Sequence, residues 1–340
     1  VAGIIGYGVY IPKFRIEQKD IAIPWGSWSA GEKSVCGADE DVVTMAAEAT
    51  DNAMRHAGID PSQIGAIYFG TASSPYIEQY VSPIIGEMLG VRPETTRIDY
   101  LGSVNSLANA VLGCLDAIAA KRIKCGLVLG GEDRATAPGT EGDANFGAGA
   151  MAMVIGTTGT IADFEDTHTY STLFLDRWRS VKDAWVSNLN DNRFDREYGY
   201  QKHVSEACKG LLEKLGRKAQ DYTYAVFAQP DERIPTLPAK DLGIQKDKLA
   251  PGIASIVGDL GSCSSFISLA GILDKANANE TILFGSYGSG ASNAMSLVVR
   301  NQIEQKRKRL VPVEKYMNRK QNITYTNYLR LKEHLKRGPY

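Results

Sequence analysis

One order of elements occurs twice in this 340-residue chain, and that repetition restricts the fold more than any single motif does. Residues 43–57 carry helical spacing after a run of acidic residues and stop at Gly58. The bulky apolar run AIYFGTAS (66–73) reads as a buried strand. A helix over 79–89, a short strand over 95–100, a small-residue helix over 104–120 and the strand GLVLGG (126–131) follow. A glycine-rich turn and the strand FGAGAMAMVIG (146–156) close the first half. The second half repeats the order. It has a helix over 202–216 ending at Gly216, the strand TYAVFAQP (223–230), a helix over 264–276 that opens in small residues, and TILFGSYGSGASNAMSLVV (281–299). That last stretch matches the GLVLGG and FGAGAMAMVIG pair, glycine-rich turn included. Each copy exposes an apolar face it cannot bury alone, so the expectation is an α/β fold with two similar βαβαβαββ halves, stacked as layers α-β-α-β-α.

The divisions that follow are a first half over 1–165, a linker and pocket-wall segment over 166–201, a second half over 202–300 and a basic tail over 301–340. A 36-residue linker inside a compact protein belongs with function more often than not, and this one is rich in aromatic and charged residues (Arg177, Trp178, Arg179, Trp185, Asp191, Arg193). The tail holds 11 Lys and Arg against 3 Asp and Glu, a balance of +8 in a chain of net charge -1, which leaves -9 on residues 1–300. Such a tail is read either as a docking element for an acidic partner or as a solvated helical segment. The near-zero total argues against bulk attraction to nucleic acid or anionic membrane.

Five cysteines, with no C-x-x-C pair and no clustered histidines, exclude the usual structural zinc spacings and favour a reducing cytoplasm over a disulfide framework. No apolar run approaches the ~20 residues of a membrane span. The N-terminal stretch VAGIIGYGVYIP is read as a first strand and not as a leader, since it lacks a basic segment.

The stretches IIGYGVYIPKFRI (4–16), APGTEGDANFGAGAMAMVIG (137–156), YAVFAQP (224–230), FGSYGSGASNAMSLVV (284–299) and YMNRKQNITYTNYLR (316–330) keep their order and spacing across about residues 2–330. In them the chain resembles the archaeal-type 3-hydroxy-3-methylglutaryl-CoA synthases of the thiolase superfamily. The resemblance implies a cysteine thiolate at a helix N-terminus that carries an acyl group, a glutamate for proton transfer, and a histidine and an asparagine for the substrate carbonyls. Carried over position by position, these roles fall on Val104, Ala72, Ala228 and Asp259, of which the first three are inert.

The remaining residues offer a few substitutes. Cys263, just ahead of a helix, is either a thiol activated by the helix dipole or a small packed residue. Ser103 is either a nucleophile or an N-cap, and no histidine is evident to activate it. Asp259 is either a base or cation ligand, or a turn carboxylate capping a backbone amide. Lys202 is a candidate for a CoA phosphate or a solvated first-turn residue. The glycines 285, 288 and 290 suit a tight turn on the pocket floor. No metal site and no covalently bound cofactor is expected; a coenzyme A thioester is the candidate ligand. The expectation is therefore a non-catalytic synthase-like subunit in a homo- or hetero-oligomer, scaffolding a catalytic thiolase-like chain together with a small zinc-ribbon/OB-fold protein. The alternatives are an acyl-CoA-dependent enzyme forming or cleaving C–C bonds with a rebuilt site, and a CoA-ester-binding regulatory protein.

Overall fold

The computed structural model describes residues 1–189 and 191–335. Nine strands make the main sheet: β1 (Gly3–Tyr10), β2 (Ala66–Thr71), β3 (Thr96–Leu101), β4 (Cys125–Asp133), β5 (Ala148–Gly156), β6 (Ala162–Ser171), β7 (Tyr224–Phe227), β8 (Thr281–Gly285) and β9 (Ala291–Val299). Their order is β7-β8-β9-β6-β1-β5-β4-β2-β3. In each half the strands joined through a helix pair in parallel, β2 with β4 and β7 with β8, and the strand after the glycine-rich turn pairs antiparallel. The two expected sheets are hydrogen-bonded into one. The join is narrow, with Gly3 and Ile4 of β1 opposite Asp163 and Ala162 of β6. From there β6 runs antiparallel to β9 along its whole length, so the second half's sheet begins inside the stretch that the sequence divisions assign to the first half and the linker.

Period-2 alternation builds the layers. In β5, Ala150, Ala152 and Val154 pack with α1 (Val42–Ala57) and α2 (Ser82–Leu89), while Met151, Met153 and Ile155 face the opposite way. There they meet α3 (Ser106–Ala119) and α6 (Ser264–Leu273), the small-residue helices of the two halves, which share one central core through Leu107, Val111, Phe266 and Ile267. A third core holds Val204 and Leu211 of α4 (Lys202–Leu215) and Ala239 of α5 (Thr236–Asp241) against Phe227 and Leu283. Helices thus lie between the half-sheets and outside each of them. Both α1 and α4 stop as read from sequence, at Gly58 (φ 67°) and Gly216 (φ 61°), where a left-handed residue turns the chain away from the helix.

The basic tail is spent largely on the body of the chain, as far as Leu335; residues 336–340 of that segment lie outside the described residues. Lys306 donates to the carbonyls of Ile5 and Gly159, at 2.9 and 2.8 Å, and Lys320 pairs with Glu32. Lys332 pairs with Asp133, and Tyr328 is buried beside Lys33. A small sheet of Phe14–Glu17, Glu32–Val35 and Gln321–Asn322 ties the tail to the N-terminal region. Among the described residues no helix is long and apolar enough to cross a membrane.

Candidate active-site cleft

Where the two halves meet, a cavity of about 1230 Å³ opens. Its wall draws on the turns after β2 and β4, the entry to α3, the segment 176–196, the turn after β7, the entry to α6 and the turn between β8 and β9. Ala72, Val104, Ala228 and Asp259 all lie on this wall, brought together from four places in the chain. So do Arg177, Trp178 and Arg179 of the linker segment. Among the described residues the wall contains neither a cysteine nor a histidine, and none of them forms a cluster able to hold a metal ion.

Cys263 does not serve as a substitute. It is fully buried in the central core, and burial, joined by the charge of Glu132, drives its thiol well above the ordinary range. The dipole of α6 is no match for that desolvation. The other four cysteines are buried too. Ser103 lies on the wall, where its Oγ accepts from the amide of Asn105 (3.1 Å) and donates to Ser289 (3.2 Å). It shapes the turn before α3, whose N-cap is Asn105, and no base reaches it in these contacts. Lys202 is exposed at the start of α4 and is not a wall residue.

The turn between β8 and β9 packs where the glycines suggest. A Cβ on Gly288 would come within 2.6 Å of Val104 Cγ2 and 2.7 Å of the Asn105 nitrogen, so only a residue without a side chain lets this turn meet the entry of α3. Gly290, at φ 71°, completes the reversal and leaves Tyr287 and Ser289 on the wall. Tyr287 donates to Asp176 Oδ2, another wall residue, at 2.9 Å.

Two charged groups that sequence reading did not single out organise this region, Arg134 on the wall and Glu132 buried behind it. Arg134, one residue past β4, has a side chain only 3% exposed. It lies over the Phe146 ring, 3.5 Å from guanidinium carbon to centroid, and pairs with Asp259 Oδ2 at 2.7 Å. Arg177 reaches the same oxygen from the linker at 3.3 Å, and Asp259 Oδ1 accepts from the Gly261 amide at 2.9 Å. Asp259 is therefore a turn-capping carboxylate and an ion-pair partner at once. Burial pushes its pKa up, but Arg134 and then Arg177 outweigh burial and hold it below the ordinary value. Glu132, in β4, is fully buried and accepts from the Ala72 amide (2.9 Å), the Ser262 hydroxyl (2.6 Å) and the Ser73 hydroxyl. Its pKa is raised, burial being the largest cause and Arg134 acting against it. The available signal was the sequence GEDR straight after an apolar strand: charges at the carboxyl end of a buried strand must find partners or a site.

A duplicated α/β chain with helices sandwiched between its half-sheets and a cleft at their junction has the thiolase-type fold. Solved structures of that fold agree. A structure of MvaS in complex with 3-hydroxy-3-methylglutaryl coenzyme A superimposes with a TM-score of 0.86 at 20% identity, covering 97% of this chain and 91% of that one. The 3-oxoacyl-[acyl-carrier-protein] synthase III of Aquifex aeolicus gives 0.76 at 21% identity, covering 88% and 100%. Sequence relatives fix the family. The hydroxymethylglutaryl-CoA synthase of Methanopyrus kandleri is 37% identical over 98% of both chains. That of Pyrococcus horikoshii is 36% identical over 96% of this chain and 94% of its own. No protein-family model matches. The chain belongs to the hydroxymethylglutaryl-CoA synthase family.

These relatives overturn the expectation of a non-catalytic scaffold subunit for a thiolase-like partner. They are named as synthases, they align with this chain nearly end to end, and the cleft at the junction of the halves is open and lined with buried, paired charges. Three inert side chains at Ala72, Val104 and Ala228 do not by themselves make the cleft inert. The tertiary structure supplies other polar groups within the same wall.

Proposed function

We propose that the chain is an enzyme that binds CoA thioesters in this cleft and makes or breaks a carbon–carbon bond between an acyl unit and a second CoA thioester. The carrying observation is the end-to-end similarity to relatives named hydroxymethylglutaryl-CoA synthase. The fold neighbours solved with CoA and with 3-hydroxy-3-methylglutaryl coenzyme A support the choice of ligand. The cavity volume lies above the usual range of small-molecule sites, roughly 300–1,000 Å³, and leaves room for an extended thioester. In this reading Glu132 is the carboxyl that exchanges protons with the wall through the Ser73 hydroxyl, its pKa raised by burial above that of a solvated glutamate. The Arg134–Asp259–Arg177 group keeps the turn before α6 rigid and leaves positive character at the wall for a carboxylate or a developing oxyanion.

The test is to mix the purified chain with acetyl-CoA and acetoacetyl-CoA and follow loss of the acetoacetyl-CoA enolate absorbance, with products identified by mass spectrometry. Calorimetry with each thioester runs in parallel. Consumption with release of free CoA is expected. A chain that neither binds nor consumes any CoA thioester refutes the reading.

A further inference from the structure

The duplication places the turn after β2, residues 72–73, against the entry to α6, residues 261–262, and Glu132 lies between them. Its Oε1 accepts from the Ala72 amide, the Ser262 hydroxyl and, at 3.4 Å, the Ser262 amide; its Oε2 accepts from the Ser73 hydroxyl. A Cβ on Gly261 would lie 3.0 Å from Glu132 Cγ, so the missing side chain there lets the glutamate pass beneath the turn. Of the two serines held by this carboxylate, Ser262 is buried and is not a wall residue, whereas Ser73 lies on the cavity wall. Two wall serines are hydrogen-bonded to a carboxylate: Ser180 to Asp183, both exposed to solvent, and Ser73, whose hydroxyl donates to the buried Glu132. Among the described residues the wall holds no cysteine, histidine or lysine, so an acyl group carried by a side chain of this wall is carried on oxygen.

We propose that Ser73 is the acyl acceptor of the cleft, with Glu132 as its proton acceptor and an acyl-CoA as the acyl donor. Ser73 Oγ attacks the thioester carbonyl, a C–O bond forms and the C–S bond breaks. The hydroxyl proton passes to Glu132 Oε2 and from there to the departing sulfur, so the products are a serine ester and free CoA, and the carboxylate is regenerated. Nothing is oxidised or reduced. The geometry separates Ser73 from Ser103, whose hydroxyl meets the Asn105 amide and the Ser289 hydroxyl and no carboxylate. The inference rests on the reading that CoA thioesters enter this cleft.

Acid-quenching the full chain after mixing with acetyl-CoA, followed by peptide mass mapping, tests it. One acetyl group on the peptide containing Ser73 is expected. S73A is expected to give no adduct while still binding CoA by calorimetry. E132Q is expected to acylate about 100-fold or more slowly, the usual scale for loss of a general base. S73C is expected to carry the acetyl group as a thioester, released rapidly by neutral hydroxylamine. An adduct on another residue, or full adduct in S73A, overturns the assignment. So does acyl-CoA consumption by the unmodified chain with no ester at Ser73; in that case the functional reading survives. If no CoA thioester binds or reacts at all, both fall.

Discussion

Replacing Asp259 by alanine strips the buried Arg134 guanidinium of its counter-charge. Arg134 keeps the Asp259 backbone carbonyl, at 2.9 Å, its stack on Phe146 and the field of the nearby buried Glu132, but loses its ion-pair contact. Breaking a buried pair by removing one partner costs about 3–5 kcal/mol, because the charge left behind has lost water without compensation. The retained contacts place D259A toward the lower end. A 340-residue chain with a melting entropy of about 2.1 cal/mol/K per residue, or about 0.7 kcal/mol/K in all, shifts Tm by about 1.4 °C per kcal/mol. The expected loss is therefore about 4–5 °C, the lower part of that range, read by calorimetric or circular-dichroism melting at neutral pH. The double variant D259A/R134M removes both charges and is expected to recover most of the loss, since an apolar pair of similar volume is near neutral in cost. A Tm for D259A equal to that of the unaltered chain, or a double variant less stable than D259A, would refute the account of this pair as mutually dependent buried charges.

Other expectations follow from the same structure. His56 is buried, with Nδ1 accepting from the Tyr7 amide at 3.1 Å, and burial, helped by Lys306, pushes its pKa down to about 4. An unfolded histidine titrates near ~6.5, so the unfolded chain gains the proton first. Stability is then complete above that pH and falls as the pH drops toward 4; urea midpoints of H56Q should lose this part of the slope, and parallel curves would count against it. G288A should lower Tm, at a cost of roughly 1–3 kcal/mol for overpacking against Val104 and Asn105; an unchanged melt would show that the turn shifts freely. Iodoacetamide should leave all five cysteines of the native chain essentially unlabelled and label all five in denaturant. Rapid native labelling of Cys263 would return it to the list of nucleophiles.

The duplication, the helix stops at Gly58 and Gly216 and the layer order were legible in the sequence because each depends on neighbours a few residues apart: period, turn chemistry and a repeated apolar face. The wall positions Ala72, Val104, Ala228 and Asp259 were reached through family resemblance, which carries position but not the partners a position has acquired. The pairings that give the cleft its chemistry join distant residues, Ser73 with Glu132, Ser262 with Glu132 and Arg134 with Asp259, at separations of 59, 130 and 125. No local pattern encodes such contacts, and whether a cysteine is activated or silenced turns on burial in a core assembled from both halves. The linear chain set which faces had to be buried. Only their closing on one another decided which charged groups were stranded together at the junction, and desolvation is what gives those groups their altered proton affinities.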